Sequence, residues 1–393
     1  MTINIKGNSL VITFRYDTDI IAAIKKITGR KFDVAKKHWT VPVENVVECL
    51  DILSPLGLTA TLEVRKLYEE QQKQIQAASE IKETPAEYEG NLPLFEFQKK
   101  GVRFLKTMPS VLLADAPGLG KTIQTIAALE SLEGKVLVLC PNSLKYSWAE
   151  ELKKWGSADN VLVVDGPPGK RILQWGDISK KYTIANYELL LHDFEKIPPT
   201  WDVIVCDEAT RISNPSAKTT KALKSLVAHK RIALTGTPIS NSPNDIYSII
   251  DWVCPHYLGS YWNFLEKYCI REPRFNRIVG YKNLPELGDK VSRFMLRRTK
   301  EEVLTDLPPK IIEDVPFELS IKERKLYDSI KRMILSELSQ LKIDRSTLPL
   351  IPVKMLRLKQ VVDHPSLISK DVKESSKLDT LKDLLEPIMN SLD

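Results

Sequence analysis

An α/β fold built on a mostly parallel sheet follows from two features of the chain. Between about residues 91 and 240, six short apolar runs recur: Val111–Ala114, Val136–Cys140, Val161–Val164, Tyr182–Ala185, Val203–Cys206 and Ile232–Leu234. Their apolar residues are contiguous and do not alternate with polar ones. Strands covered on both faces have that composition, and parallel sheets are covered on both faces. Amphipathic stretches of helical length lie between several of the runs, as crossover connections require.

The remaining elements read in order along the chain. Residues 1–58 form a small unit of their own, with a strand-like run at Leu10–Phe14 and a helix over Asp19–Lys26, with Asp19 near its start. Trp39–Pro42 is extended, because Pro42 disfavours helix in the residue before it. Val43–Leu53 returns to helical spacing. Residues 59–90 are polar, and Leu62–Ala86 reads as a solvated helix or linker. Beyond residue 250 the pattern becomes mostly helical, at Tyr261–Tyr268, Ile321–Leu341 and Val353–Val362, with Pro308-Pro309 as a break. A last amphipathic helix covers Ser375–Leu392.

Composition excludes several classes. With 57 Lys+Arg against 51 Asp+Glu, the net charge is +6 over 393 residues, which permits a polyanionic partner without arguing for one. That length suits two to three domains at roughly 100–200 residues each. The start has no basic segment followed by an apolar one, so no secretory signal is read. The apolar runs fall far short of the ~18 residues a membrane span needs. Five scattered cysteines without a CxxC suit a reducing, intracellular compartment of cytoplasmic or nucleoid type. The pairing of Cys254 with His256 is too small a cluster to read as a metal site.

Three motifs carry chemistry. Leu113-Ala-Asp-Ala-Pro-Gly-Leu-Gly-Lys-Thr122 follows a strand and opens a helix over Thr122–Leu129, the context in which Gly-Lys-Thr binds phosphate. Asp115, Ala116, Pro117, Gly118, Leu119, Gly120, Lys121 and Thr122 make up this loop. Gly118 and Gly120 let the backbone approach phosphate, and the helix N-terminus offers free N–H groups. Lys121 would neutralise the β/γ-phosphates of ATP, and the Thr122 hydroxyl would ligate Mg2+. Asp115 stands where such loops usually begin with glycine. The second motif, Trp201–Thr210, ends an apolar strand with Asp207 and Glu208. In a parallel sheet that end faces the crevice of the phosphate loop. Asp207 is placed to hold the magnesium shell, and Glu208 to orient or deprotonate the attacking water. The third, Thr235-Gly236-Thr237-Pro238, offers small hydroxyl residues that can bridge the nucleotide site to a neighbouring lobe.

Together these stretches resemble a superfamily-two helicase, and more narrowly the Swi/Snf family of DNA-dependent ATPases. That family has Asp at the position of Asp115. Leu94–Gln98 resembles its adenine-recognition motif, with Gln98 as the glutamine. Cys140–Leu144 through Trp148 and Trp155 resembles the first DNA-tracking motif, and Asn186–Leu189 the next. Phe294–Lys300 through Leu307–Lys310 is similar to the bridge between lobes, and Leu356–Gln360 through His364–Leu367 to the helical insertion of the second lobe. The resemblance implies two RecA-like lobes that close on ATP and a motor that grips double-stranded or branched DNA by its phosphates. It makes 91–310 the first RecA-like lobe with a helical insertion, 311–370 the helical protrusion of the second lobe, and 371–393 the start of that lobe. Ser143, Lys145, Asn186 and Tyr187 become candidate DNA contacts. The basic faces near Lys145, Lys218 and Lys221 are either such contacts or ordinary solvated surface. Residues 1–58 resemble the HARP module of annealing helicases through Tyr16-Asp17, Gly29–Lys31, Lys37–Trp39 and Val41–Val43, with Trp39 either a core anchor or a base-stacking residue.

Two departures set the functional expectation. Thr210 occupies a position where the family has histidine, which puts coupling between Asp207-Glu208 and Thr235–Thr237 in question. The residues after Ser376 match only the first helix of a second lobe. The expectation is therefore a DNA translocase whose ATP-binding part is present, hydrolysing slowly by itself and completed by a separate chain or shortened by truncation. A non-motor regulatory protein that binds nucleotide and DNA is the alternative. The compact build suggests a bacterial or viral source.

Overall fold

The computed structural model describes residues 1–83, 92–156, 158–177, 179–239, 242–272, 277–304, 312–340 and 350–390. Leu307–Lys310, the second half of the expected bridge between lobes, lies outside them, as do the ends of the helices expected to reach Leu341 and Leu392. The chain divides into two compact units, Met1–Leu307 and Pro308–Asp393.

The first unit opens with strands β1 (Thr2–Lys6) and β2 (Ser9–Thr13), helix α1 (Thr18–Ile24), strands β3 (Lys31–Asp33) and β4 (His38–Pro42), helix α2 (Val46–Leu53) and strand β5 (Thr59–Ala60). The strands form one sheet in the order β3-β4-β2-β1-β5. Ile3, Leu10, Ile12, Ile24 and Leu53 are fully buried beneath it. The residue that caps α1 is Asp17, whose carboxylate accepts from the amides of Asp19 and Ile20; Asp19 lies within the first turn. Trp39 is partly buried and packs against this core.

Helix α3 (Leu62–Glu83) is long and polar, yet it is no simple solvated spacer. Val64 enters the core of the small sheet, while Ala78 and Ile81 enter a core of the larger one. The many Glu, Gln and Lys residues around these three hide the pattern.

The larger sheet follows α4 (Glu96–Thr107). Its elements are β6 (Ser110–Leu113), α5 (Lys121–Glu130), β7 (Val136–Cys140), α6 (Lys145–Trp155), β8 (Val161–Val163), α7 (Pro168–Gly176), β9 (Tyr182–Asn186), α8 (Tyr187–His192), β10 (Thr200–Cys206), α9 (Lys218–Ser225) and β11 (Val227–Leu234). Every residue of β7 and β9 is buried, as contiguous apolar runs require of strands covered on both faces. Beyond the sheet come α10 (Asp245–Val253), α11 (Tyr261–Tyr268), the hairpin β12 (Cys269–Arg271) and β13 (Ile278–Tyr281), and α12 (Leu284–Ser292). A two-residue strand β14 (Met295–Leu296) then joins β6, and a short helix α13 (Lys300–Val303) follows.

The seven strands pair in parallel throughout, in the order β14-β6-β11-β10-β7-β9-β8. The α/β class and the six expected strands are therefore present, and β14 is a seventh. The order makes β6, β11 and β10 consecutive neighbours, so the loops leaving their carboxyl ends must lie side by side.

The small sheet is fastened to this lobe. Lys290 of α12 is buried, and its ammonium donates to Thr28 Oγ1 (2.8 Å) and Glu48 Oε2 (2.9 Å). The backbones of Gly29 and Gly259 approach so closely that a Cβ on Gly259 would stand 3.1 Å from the Gly29 nitrogen.

The second unit contains α14 (Ile321–Gln340), α15 (Leu350–Asp363) and α16 (Ser376–Asn390). Ile330, Ile334 and Val361 form its small core. Glu323, fully buried, accepts from the amides of Ser320 (2.8 Å) and Ser376 (3.0 Å) and from the Ser376 hydroxyl. Burial pushes its carboxyl up, but these hydrogen bonds outweigh it and hold the group below the usual value. No helix among the described residues is long and apolar enough to cross a membrane.

Candidate nucleotide site

The phosphate loop leaves β6 and enters α5. Gly118 and Gly120 both have positive φ, 87° and 72°. A Cβ on Gly120 would stand 2.5 Å from Gln98 Nε2, so both the backbone conformation and the space require glycine there. Gly120 also begins α5 with no side-chain cap, which leaves the first amides of the helix to a ligand. The Lys121 ammonium donates to the Asp115 carbonyl oxygen at 3.0 Å. Burial lowers its pKa, opposed by the charges of Glu208, Asp115 and Asp207.

Asp115 is fully buried and does work that glycine could not. Its carboxylate takes two bonds from the Arg298 guanidinium, Nε to Oδ1 at 2.9 Å and Nη2 to Oδ2 at 2.5 Å. Gln124 Nε2 donates to Oδ2 as well, at 3.2 Å. Arg298 also donates to Gln124 Oε1 (2.8 Å) and to the Phe97 carbonyl. The ladder between β6 and β14 brings it there and runs on past the strands, with Ala114 N–H bonded to Leu296 O (2.7 Å) and Ala116 N–H to Arg298 O (2.9 Å).

Gln98 is buried beside the loop. Its Oε1 accepts from the Phe95 amide (3.0 Å), and its Nε2 donates to the Leu119 carbonyl (3.3 Å). In this geometry Gln98 shapes the loop.

Asp207 and Glu208 leave the end of β10. The two oxygens of Asp207 are oriented separately: Oδ1 accepts from the Glu208 amide (2.9 Å), and Oδ2 from the Trp148 indole N–H (2.8 Å). The Tyr187 hydroxyl donates to the Asp207 carbonyl (2.7 Å). Glu208 has φ 49° and ψ 57°, a strained conformation for a residue with a side chain. Burial raises its pKa, the Asp207 charge adds to the rise, and Lys121 opposes it. A carboxylate with raised basicity at a crevice suits proton transfer.

Thr235–Thr237 leaves β11, between the other two. The Thr235 amide donates to Leu113 O (3.2 Å), and a Cβ on Gly236 would stand 2.8 Å from Pro117 Cγ. This motif therefore abuts the phosphate loop. The Thr210 hydroxyl faces the Glu208 carbonyl at 3.5 Å.

Gly118, Gly120, Thr122, Trp148 and Asp207 line one open cleft of ≈ 460 Å³. Thr122 and Asp207 offer hard oxygen donors to the same space. That fits Mg2+, which keeps several waters and takes one or two protein ligands beside substrate phosphates.

The candidate DNA contacts need correction. Lys145 is buried, and its ammonium is spent on Asp165 Oδ1 (3.1 Å) and Val164 O (3.4 Å). Tyr187 is buried under Asp207. Asn186 is buried too, and caps α8 through its Oδ1 while its amide donates to Asn142 Oδ1 (2.8 Å). All three are internal braces of the sheet's carboxyl edge. Ser143 is exposed, as are Lys218 and Lys221 on α9.

Comparison with known proteins bears on the family. The model of the SNF2-related domain matches residues 97–367. The TATA-binding protein-associated factor mot1 of Aspergillus fumigatus is 33% identical over 267 residues, 60% of this chain and 14% of that protein. An uncharacterized ATP-dependent helicase of Mycoplasma pneumoniae is 30% identical over 308 residues, 75% of this chain and 29% of that one. The human DNA repair and recombination protein RAD54B is 31% identical over 313 residues, 70% of this chain and 34% of that protein. The chain thus spans about a third or less of the length of these relatives. Among solved structures, the SWI2/SNF2 ATPase core of Sulfolobus solfataricus in complex with dsDNA has 31% identity and a TM-score of 0.49, covering 78% of this chain and 66% of that one. The matched residues take in the phosphate loop, Asp207-Glu208 and Thr235–Thr237, and the chain belongs to the SNF2-related family.

Proposed function

We propose that this chain is the nucleotide-binding part of an ATPase that moves along double-stranded DNA and remodels it in repair, recombination or replication. The observation that carries the proposal is that the loops leaving β6 and β10 line one cleft, while the loop leaving β11, the strand between them, packs against the phosphate loop at Pro117. The glycine loop and the first amides of α5 receive the phosphates, and Lys121 neutralises them. Thr122 and Asp207 would hold Mg2+, which when bound neutralises charge on the β and γ oxygens. Trp148 and the Glu208 amide keep the Asp207 carboxylate turned toward the cleft. Glu208 orients the attacking water and accepts its proton. Thr235–Thr237, packed on Pro117, passes the state of the loop onward.

Duplex DNA as partner is supported by the family and by the exposed cations of α9, which suit sequence-independent phosphate gripping. The module over 1–58 is proposed to act on branched DNA in the manner of a HARP module. The test is binding of Mg-ATP and of a labelled duplex by the chain, at two salt concentrations. We expect both to bind, Lys121→Ala to lose ATP only, and duplex affinity to fall with salt. Wild-type ATP affinity in Lys121→Ala, or no ATP binding by the parent chain, overturns the proposal.

A further inference from the structure

The segment that follows β14 reaches the phosphate loop at a second place. Within 4 Å of where a Gly118 Cβ would stand are two atoms of the described residues, Lys300 Cε and Nζ, each at 3.4 Å. The Lys300 ammonium therefore lies over the loop's exposed glycine.

Its position is built from both sides. The backbone ladder from Leu112 to Ala116 fixes Phe294–Arg298 beside the loop, and the Arg298–Asp115 pair locks it there. The next residue, Thr299, caps α13 in a reciprocal arrangement: Glu302 N–H donates to Thr299 Oγ1 (3.3 Å) and Thr299 N–H to Glu302 Oε2 (2.7 Å). Lys300 is the next residue, so its side chain starts from a fixed backbone. Among the described residues no carboxylate forms an ion pair with it.

Charge supplies the second argument. Arg298 is consumed by Asp115, and Asp207 and Glu208 face Lys121 across the cleft. A polyphosphate entering this space meets one loop lysine and two carboxylates. A further cation at the loop's rim offsets that excess, and Lys300 is the cation the fold puts there.

We infer that Lys300 is a phosphate-binding residue of the nucleotide site, contributed by the segment that leads out of the first unit. This rests on reading the cleft as a nucleotide site. A contact of this kind would tie the course of that segment to whether phosphate is bound.

The test measures dissociation constants of a fluorescent ATP analogue, with adenosine as competitor, for the parent chain, Lys300→Ala, Lys300→Arg and Lys121→Ala. One charge-assisted contact contributes about tenfold in affinity. We expect Lys300→Ala to weaken the ATP analogue about tenfold and leave adenosine unchanged, and Lys300→Arg to stay within about twofold of the parent. Lys300 is exposed, so its variants should unfold at the parent's urea midpoint. ATP binding by Lys300→Ala within twofold of the parent, while Lys121→Ala has lost it, overturns the inference alone. Equal loss of ATP and adenosine in Lys300→Ala also overturns it, since a phosphate ligand does not touch adenosine. Undiminished ATP binding in Lys121→Ala overturns the nucleotide reading and the inference with it.

Discussion

Replacing Lys290 with methionine tests how the small N-terminal sheet is held. The substitution keeps the aliphatic stem and deletes the ammonium that donates to Thr28 and Glu48. Deleting one member of a buried ion pair costs about 3–5 kcal/mol, because the other charge is stranded. Here the side chains are 11% and 19% exposed, so water recovers part of that. Glu48 also keeps the Thr28 amide (3.3 Å) and hydroxyl (3.1 Å) as donors. We therefore expect a loss of about 2–3 kcal/mol. Burial lowers the Lys290 pKa even though Glu48 raises it, so the pair spends much of its attraction on desolvation. The double variant Lys290→Met/Glu48→Gln removes both charges and retains an acceptor for Thr28. It should return to within about 1 kcal/mol of the parent. The assay is native-state hydrogen exchange of the buried strand residues Ile3, Leu10 and Ile12, which reports the opening free energy of that sheet. A single variant within about 0.5 kcal/mol of the parent would refute the reasoning and leave apolar contact as the only fastening.

Three further outcomes follow from the geometry. Glu208→Gln should abolish hydrolysis while retaining ATP binding; with its pKa raised, the acid limb of the parent's ATPase profile should lie above the ordinary glutamate range, as a pH series would show. Gly120→Ala should cost about 1–3 kcal/mol in urea unfolding and remove ATP binding, since it forces a side chain to φ 72° against Gln98. Glu323, with its pKa depressed in the folded chain, contributes stability that is present above its unfolded pKa and is lost as pH falls through the lower folded value; helicity of Pro308–Asp393 followed by circular dichroism should fall in that acidic window, and Glu323→Gln should flatten the fall.

The sheet was legible because its inner strands are covered on both faces, which leaves unbroken apolar runs such as Val136–Cys140. The phosphate loop was legible because glycine and lysine are needed at fixed offsets. Long-range partners left no such trace. Asp115 and Arg298 lie 183 residues apart, and nothing local to either announces the pair. Met295–Leu296 is too short to read as a strand and is one only because the edge of β6 is free to accept it. Lys145 looked like a surface cation on a polar helix, yet Asp165 and the Val164 carbonyl cover it from the next strand's exit. Trp148 could be placed in a motif but not in its role, since only folding brings its indole to Asp207.

The short strand β14 has a consequence for how the protein is made. A ribosome releases Asp115 long before it releases Arg298, which lies 183 positions further along the chain. At about 5–20 residues per second, that interval is roughly 10–40 s. Throughout it the nascent lobe has an open edge at β6 and an unpaired carboxylate at the head of its glycine loop. Both are liabilities for a chain still emerging, one for adhesion to other strands and one for premature burial. The strand β14, last in sequence among the described strands of this sheet, closes both at once, so completion of the sheet and completion of the loop are one event.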